Sequence, residues 1–243
     1  MTIMRKMVVL SGGFDSVALL HHALEEVGEH GDVRAVSFDY SQPHRDQELA
    51  AAQMIAGRCG LTMANHRWER VRITELGPFD VTPGYHAPAV ANAFVPVRNL
   101  IFLAYAANRA ARAWPGEESE VLYGANQDDA AGFADCRRGF VAQASAAVQQ
   151  SLSGFAGVSV RAPWVDRSWK KEDILGWAAG RPEVLDDLRL SMSCYVGTRC
   201  GRCDSCTRRR KAFEAVGLED GDRQYRTTGG DPAREVSSAT IGR

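Results

Sequence analysis

Met7-Val8-Val9-Leu10-Ser11-Gly12-Gly13-Phe14-Asp15-Ser16 is the stretch on which the fold turns. Four apolar residues run into a serine and two glycines, and beyond them Val17, Leu20, Leu24 and Val27 recur at spacings of three and four. That change of period predicts a buried strand, a glycine turn and a helix. A second apolar run, Val33 to Phe38, leads to a helix with Leu49, Ala52, Ile55 and Cys59 along one face, completing a βαβ unit. The alternation continues with a helix over Arg98 to Ala113, a strand at Val121 to Tyr123, a helix over Phe140 to Leu152 and a strand at Val158 to Val160. The expected class is α/β with a mainly parallel sheet.

Working outward, the 243 residues with 45% hydrophobic content suit one large domain, expected over 1–220. Residues 73–94, with Gly77, Pro78, Pro83, Gly84 and Pro88 and no clear period, read as an active-site lid. From Gly221 onward apolar clusters are almost absent, so 221–243 reads as a loosely attached tail. No apolar run approaches the ~20 residues of a membrane span, and the N-terminus meets its first Gly-Gly too early for a signal peptide. A cytoplasmic protein is expected, in which six cysteines are thiols or metal ligands. The net charge of -1 gives no field that would gather nucleic acid. The local run Arg208-Arg209-Arg210-Lys211 reads as a solvated helix face.

In Ser11-Gly12-Gly13-Phe14-Asp15-Ser16 the glycines permit a tight turn, and the helix start that follows offers free N–H groups and partial positive charge. Phosphate suits such a cradle. Ser11 and Ser16 add hydroxyl donors, and Asp15 is placed either to orient a metal ion or to cap the helix. Neither the G-x-x-x-x-G-K-[ST] of a Walker loop nor the G-x-G-x-x-G of a dinucleotide site occurs here.

Cys200-Gly201-Arg202-Cys203-Asp204-Ser205-Cys206 sets three thiols at two-residue separations, and Cys194, five intervening residues earlier, supplies a fourth corner. Four thiolates leave a metal no open position, so the ion is read as structural. Zinc is the first assignment and an iron–sulfur cluster the competing one. Cys59 reads as core, and Cys136 as packing, since no histidine lies near it in the sequence.

Five blocks in order then resemble the 7-cyano-7-deazaguanine synthase family of pyrophosphate-loop ATPases. They are SGGFDS at Ser11, FDYSQPHR at Phe38, VPVRNLIFL at Val95, NQDDAAGFADCRRGF at Asn126 and SCYVGTRCGRCDSCTRRRKAF at Ser193. The family counterparts read SGGxDS, FDYGQRH, VPxRNxxFL, NxxDxSGYPDCRxxF and SCYxG…CGxCDSCxLRxxxF. The resemblance runs from Val8 to Leu218. It implies a Rossmann-like doubly wound parallel sheet with a C-terminal four-cysteine zinc knuckle. It also implies ATP and Mg²⁺ at Leu10, Ser11, Gly12, Gly13, Phe14, Asp15 and Ser16, with Asp15, Ser16 and Lys171 catalytic, although Lys171 reads equally as an exposed lysine at a helix start. In the implied reaction ATP adenylates the carboxylate of 7-carboxy-7-deazaguanine, ammonia forms an amide, and a second activation gives the nitrile. A homodimer is implied as well.

The adjacent N–H donors of a deazaguanine call for a carboxylate, which makes Asp129 or Asp135 the expected reader of the base. Tyr40 and Phe133 either stack on the ring or pack in the core. Arg98 and Arg137 either meet carboxylate and phosphate or form surface ion pairs. Gln42, His44, Asn99, Asn126 and Gly132 are carried over by motif position alone. The sequence departs from the family at Ser41 for glycine, Pro43 for arginine, Ala131 for serine and Ala134 for proline, and in a shorter first cysteine spacer. Two other readings therefore stand: a related ligase that joins the activated acid to another amine, such as a protein N-terminus, and a non-catalytic zinc-knuckle binding module.

Overall fold

Each strand alternates its side chains between two apolar faces. Val8 and Leu10 pack into one core, while Met7 and Val9 face the other. The computed structural model describes residues 3–73, 76, 95–194 and 199–221. Within them five strands, β1 (Arg5–Val9), β2 (Asp32–Asp39), β3 (Trp68–Arg72), β4 (Glu118–Leu122) and β5 (Gly157–Arg161), form one parallel sheet in the order β3-β2-β1-β4-β5. Helices α1 (Phe14–Val27), α2 (Arg45–Arg58), α7 (Lys171–Ala179), α8 (Pro182–Leu190) and α9 (Asp204–Ala215) cover the first face. Helices α3 (Arg98–Ala113) and α5 (Arg138–Ser151) cover the second. The short helices α4 (Gln127–Gly132) and α6 (Pro163–Asp166) follow β4 and β5.

The chain winds outward from β1 through β2 to β3, then returns to the other side of β1 for β4 and β5. Connections leave β1 and β4 in opposite directions, so a crevice opens at their C-terminal ends. The glycine turn lies at that crevice. Leu10 N donates to Val36 O at 2.9 Å, and Ser37 Oγ donates to Leu10 O at 2.6 Å while accepting from Trp68 Nε1 at 3.0 Å. Gly12 has φ +81°, and a Cβ there would lie 2.4 Å from Glu48 O and 2.8 Å from Ala52 N. Only glycine fits between the turn and α2.

Arg209 corrects the expectation of a solvated basic face. Arg210 and Lys211 are exposed, but Arg209 is fully buried between the rings of Phe14 and Phe213. Its guanidinium makes a bidentate pair with Asp220 at 2.6 to 3.0 Å and donates to Leu188 O at 2.7 Å and Ser191 Oγ at 2.7 Å. With this many acceptors the buried charge is matched, and it staples the segment after α8 to α9.

The strands and helices expected from periodicity are present, and β3, α4, α6, α7, α8 and α9 are additional to them. Cys59 is half-buried at the core's edge. The lid read at 73–94 lies outside the described residues except for 73 and 76, and so does the tail beyond 221. No helix among the described residues is long and apolar enough to cross a membrane. Replacing Arg209 with Met removes the bidentate partner of Asp220, which keeps Arg199 at 3.2 Å, and leaves Leu188 O and Ser191 without its donors, so Arg209→Met should lower unfolding stability by about 3 kcal/mol in urea denaturation. Arg210→Met should stay within about 0.5 kcal/mol of the parent.

Candidate active site

At the start of α1 the amides of Phe14, Asp15 and Ser16 lack an intrahelical partner, as in any helix N-terminus. The serine hydroxyls knit the turn below them. Ser16 Oγ donates to Gly13 O at 3.0 Å and accepts from Ser11 N at 3.2 Å, while Ser11 Oγ accepts from Gly13 N at 3.2 Å. Asp15 does not cap the helix. Its carboxylate receives Lys171 Nζ at 2.5 and 2.7 Å, from the first residue of α7. The same ammonium sits 5.0 Å from the Phe14 ring centre. Gly124, after β4, lies so close to α1 that a Cβ would come within 3.0 Å of Asp15 C and Ser16 N. That glycine had no signal in the motif reading.

Asn126 is fully buried, and its Oδ1 accepts from Asp128 N at 2.9 Å and Asp129 N at 3.1 Å, which starts α4. Its Nδ2 has no hydrogen-bond partner among the described residues. The Asp128 carboxylate accepts Lys171 N at 3.1 Å, so α4 and α7 meet beside the glycine loop. Asp129 keeps about 30% side-chain exposure, yet its carboxyl is hemmed in closely enough to be pushed up to about 6. Burial is the main cause, followed by the charge of Asp15, against the opposing pull of Lys171 and Arg208. Arg208 reaches Asp129 at 3.4 Å from α9. It is a neighbour of the site that the reading of a solvated basic run overlooked.

Tyr123 Oη donates to Asp135 O at 2.7 Å and holds a 3-10 turn, Ala134–Cys136, over the sheet end. Burial first, then the charges of Asp129 and Asp135, push the Cys136 thiol well above its ordinary range. Cys136 is thus a neutral packing residue. Gly132 and Arg137 are exposed, with Arg137 Nε donating to Ala130 O at 3.0 Å, and Phe133 packs against the second core.

A second wall rises from the end of β2. Tyr40 packs edge-on to Phe102 and lies under Arg98, whose guanidinium is 5.9 Å from its ring and 3.4 Å from its hydroxyl. Asn99 adjoins Arg98 at 3.4 Å. Gln42 is buried, and its amide is committed to Tyr40 N, Phe38 O and Glu48, which fixes the turn. Ser41 sits there at φ +64°, so serine occupies a left-handed position where the family motif has glycine, a strain of about 1 kcal/mol. His44 pairs with Glu48 at 3.2 Å.

The four cysteines close the site on the remaining side. The Sγ atoms of Cys194, Cys200, Cys203 and Cys206 lie within 4.8 Å of one another. Cys200 N donates to Cys194 Sγ at 3.4 Å and Cys203 N to Cys200 Sγ at 3.3 Å. Four convergent thiols from a tight knuckle suit a tetrahedral metal. Cys194 also borders a cavity of about 130 Å³ shared with Asp15, His44, Glu48 and Lys171. A larger shallow hollow of about 590 Å³ over Trp169, Trp177 and Val216 is lined by none of the candidate residues.

Comparison with known proteins matches residues 5–217 to the family model described as Queuosine biosynthesis protein QueC. The chain is similar to the 7-cyano-7-deazaguanine synthase of Rhizobium rhizogenes, at 35% identity over 230 residues, covering 89% of this chain and 90% of that one. The 7-cyano-7-deazaguanine synthase of Caldicellulosiruptor bescii is 35% identical over 232 residues, covering 89% and 96%. Among solved structures, the U34-tRNA thiolase NcsA from Methanococcus maripaludis with its [4Fe-4S] cluster is similar at a TM-score of 0.46 and 17% identity, over 89% of this chain and 65% of that one.

If the four thiols hold one ion, Cys203→Ser should remove about one equivalent of bound metal per chain, counted by elemental mass spectrometry after gel filtration.

Proposed function

Because the chain belongs to the QueC family of queuosine biosynthesis, we propose that it converts 7-carboxy-7-deazaguanine and ammonia to 7-cyano-7-deazaguanine at the expense of ATP. The chain is an enzyme of the carbon–nitrogen ligase type, which sets aside the non-catalytic module. The synthase name carried by its relatives favours ammonia over a bulkier amine as acceptor. The observation that carries the reading is the convergence of Lys171 on Asp15 inside a phosphate-cradling turn, with Asp129 close enough to feel the charge of both.

In the proposed reaction a substrate carboxylate oxygen attacks the α-phosphorus of ATP and pyrophosphate leaves. Ammonia adds to the acyl carbon, a proton is lost and AMP departs, giving the amide. The amide oxygen is adenylated in the same way, and loss of AMP with two N–H protons leaves the nitrile. The amides of residues 14–16 would cradle phosphate, and the Lys171 ammonium would face the charge that develops at the α-phosphoryl group. Asp129 would accept the adjacent N–H groups of the base, with Tyr40 and Arg98 forming the opposite wall. The Asp15 carboxylate, which now receives Lys171 Nζ, would offer an oxygen ligand to Mg²⁺, which would neutralise phosphate charge. The four cysteines would hold structural Zn²⁺. A homodimer belongs to the same proposal.

Mass spectrometry of the protein incubated with Mg-ATP, the carboxylic acid and ammonium should reveal the nitrile, and Asp15→Ala should abolish it. An amide or adenylate that accumulates without nitrile would move the search to another acceptor, and no ATP-dependent product would sink the substrate assignment. A carboxyl titrating near 6 is an anion above that pH and a neutral acid below it. Affinity for the deazaguanine acid should therefore fall as pH drops through about 6, whereas Asp129→Asn should bind weakly with that pH step removed, both measured by calorimetry.

A further inference from the structure

We infer that His21, Cys59 and Asp187 form a second metal site, a three-donor centre for a divalent transition ion such as Zn²⁺. It is separate from the four cysteines. The three residues come from different elements on the first face of the sheet: His21 from α1, Cys59 from the end of α2 and Asp187 from α8. Their donor atoms lie within 4.8 Å of one another. His21 Nε2 is 2.9 Å from Asp187 Oδ2 and 3.8 Å from Cys59 Sγ. A tetrahedral zinc ion would set those edges at about 3.3 and 3.6 Å, so shifts of a few tenths of an ångström seat it.

The geometry also discriminates against a nucleophilic triad. In a triad the carboxylate holds one imidazole nitrogen and the thiol meets the other. Here both carboxylate and thiol converge on the same nitrogen, Nε2, so no proton can be relayed across the ring. A single cation at that point of convergence would use all three donors. Thiolate, imidazole and carboxylate are all zinc ligands, and the two negative charges match the ion. The outer contact is already in place, because Asp187 Oδ1 is bound by Arg58 Nε, leaving Oδ2 directed at the site. Asp187 is about 1% exposed, whereas Cys59 is half-buried, which leaves a solvent-side position for water as fourth ligand.

Equilibrium dialysis of the full chain against ZnCl₂, with zinc counted by elemental mass spectrometry, tests the site. The parent should hold about one more zinc per chain than Cys59→Ser or His21→Gln. This difference is independent of what the four cysteines carry and of the proposed reaction. In the unsubstituted chain, Zn²⁺ should also slow alkylation of Cys59 at least about tenfold, followed by peptide mass mapping, because a metal-bound thiolate is withdrawn from reaction. Equal zinc in all three proteins, or an unchanged alkylation rate should the variants fail to fold, overturns the assignment.

Discussion

The hydrogen bond from Met192 N to Gly12 O, 2.8 Å long, is the joint on which the site depends. It binds the glycine turn at the end of the first strand to the segment that carries Cys194, and Gly13 pairs with Met192 as an isolated bridge. On its other flank the turn is pressed against the backbone of α2, with no room for a Cβ at residue 12. Arg209 then fixes the segment from behind through Leu188 O and Ser191, while its guanidinium lies over Phe14 in the first turn of α1. Glycine turn and cysteine knuckle are therefore one mechanical unit. A fault in either should be felt in the other, because buried polar contacts of this kind have no nearby alternative partners.

Charge in the crevice alternates in sign over short distances. Lys171 answers Asp15 and Arg208 answers Asp129, with Asp128 held on the Lys171 amide. Dipoles and charges positioned by secondary structure need little reorganisation when a phosphoryl group gains charge. The Asp15 and Lys171 contact spans 156 residues of sequence, and the Asp129 and Arg208 contact spans 79. Both pairs meet only because the parallel sheet gathers the ends of β1 and β4 at one crevice.

Much of this was legible in the sequence, for identifiable reasons. The strand, glycine turn and helix at the N-terminus declare themselves by a change of hydrophobic period, and cysteine spacing announces a metal-capable knuckle. β3 is harder to see. Trp68-Glu69-Arg70-Val71-Arg72 is a charged edge strand whose identity rests on pairing with β2 and on the Trp68 bond to Ser37. Arg209 was misread because adjacent basic residues share a composition but not a helix face, and burial is decided by what packs against each face. Gly124 and Ser41 show the same limit, since the need for a missing Cβ or a positive φ arises from a neighbouring element. The proximity of His21, Cys59 and Asp187 has no local signature at all.

The Gly12 and Met192 joint also bears on synthesis. A chain made from its N-terminus exposes the glycine turn long before residue 192 exists, and at 5–20 residues per second the interval is roughly ten to forty seconds. During that time β1 and β2 can pair, while the turn awaits the partner that arrives with the knuckle. Nascent chains stalled before residue 192 should present the glycine turn without its Met192 contact. The completed turn would then be acquired late in the synthesis of the polypeptide.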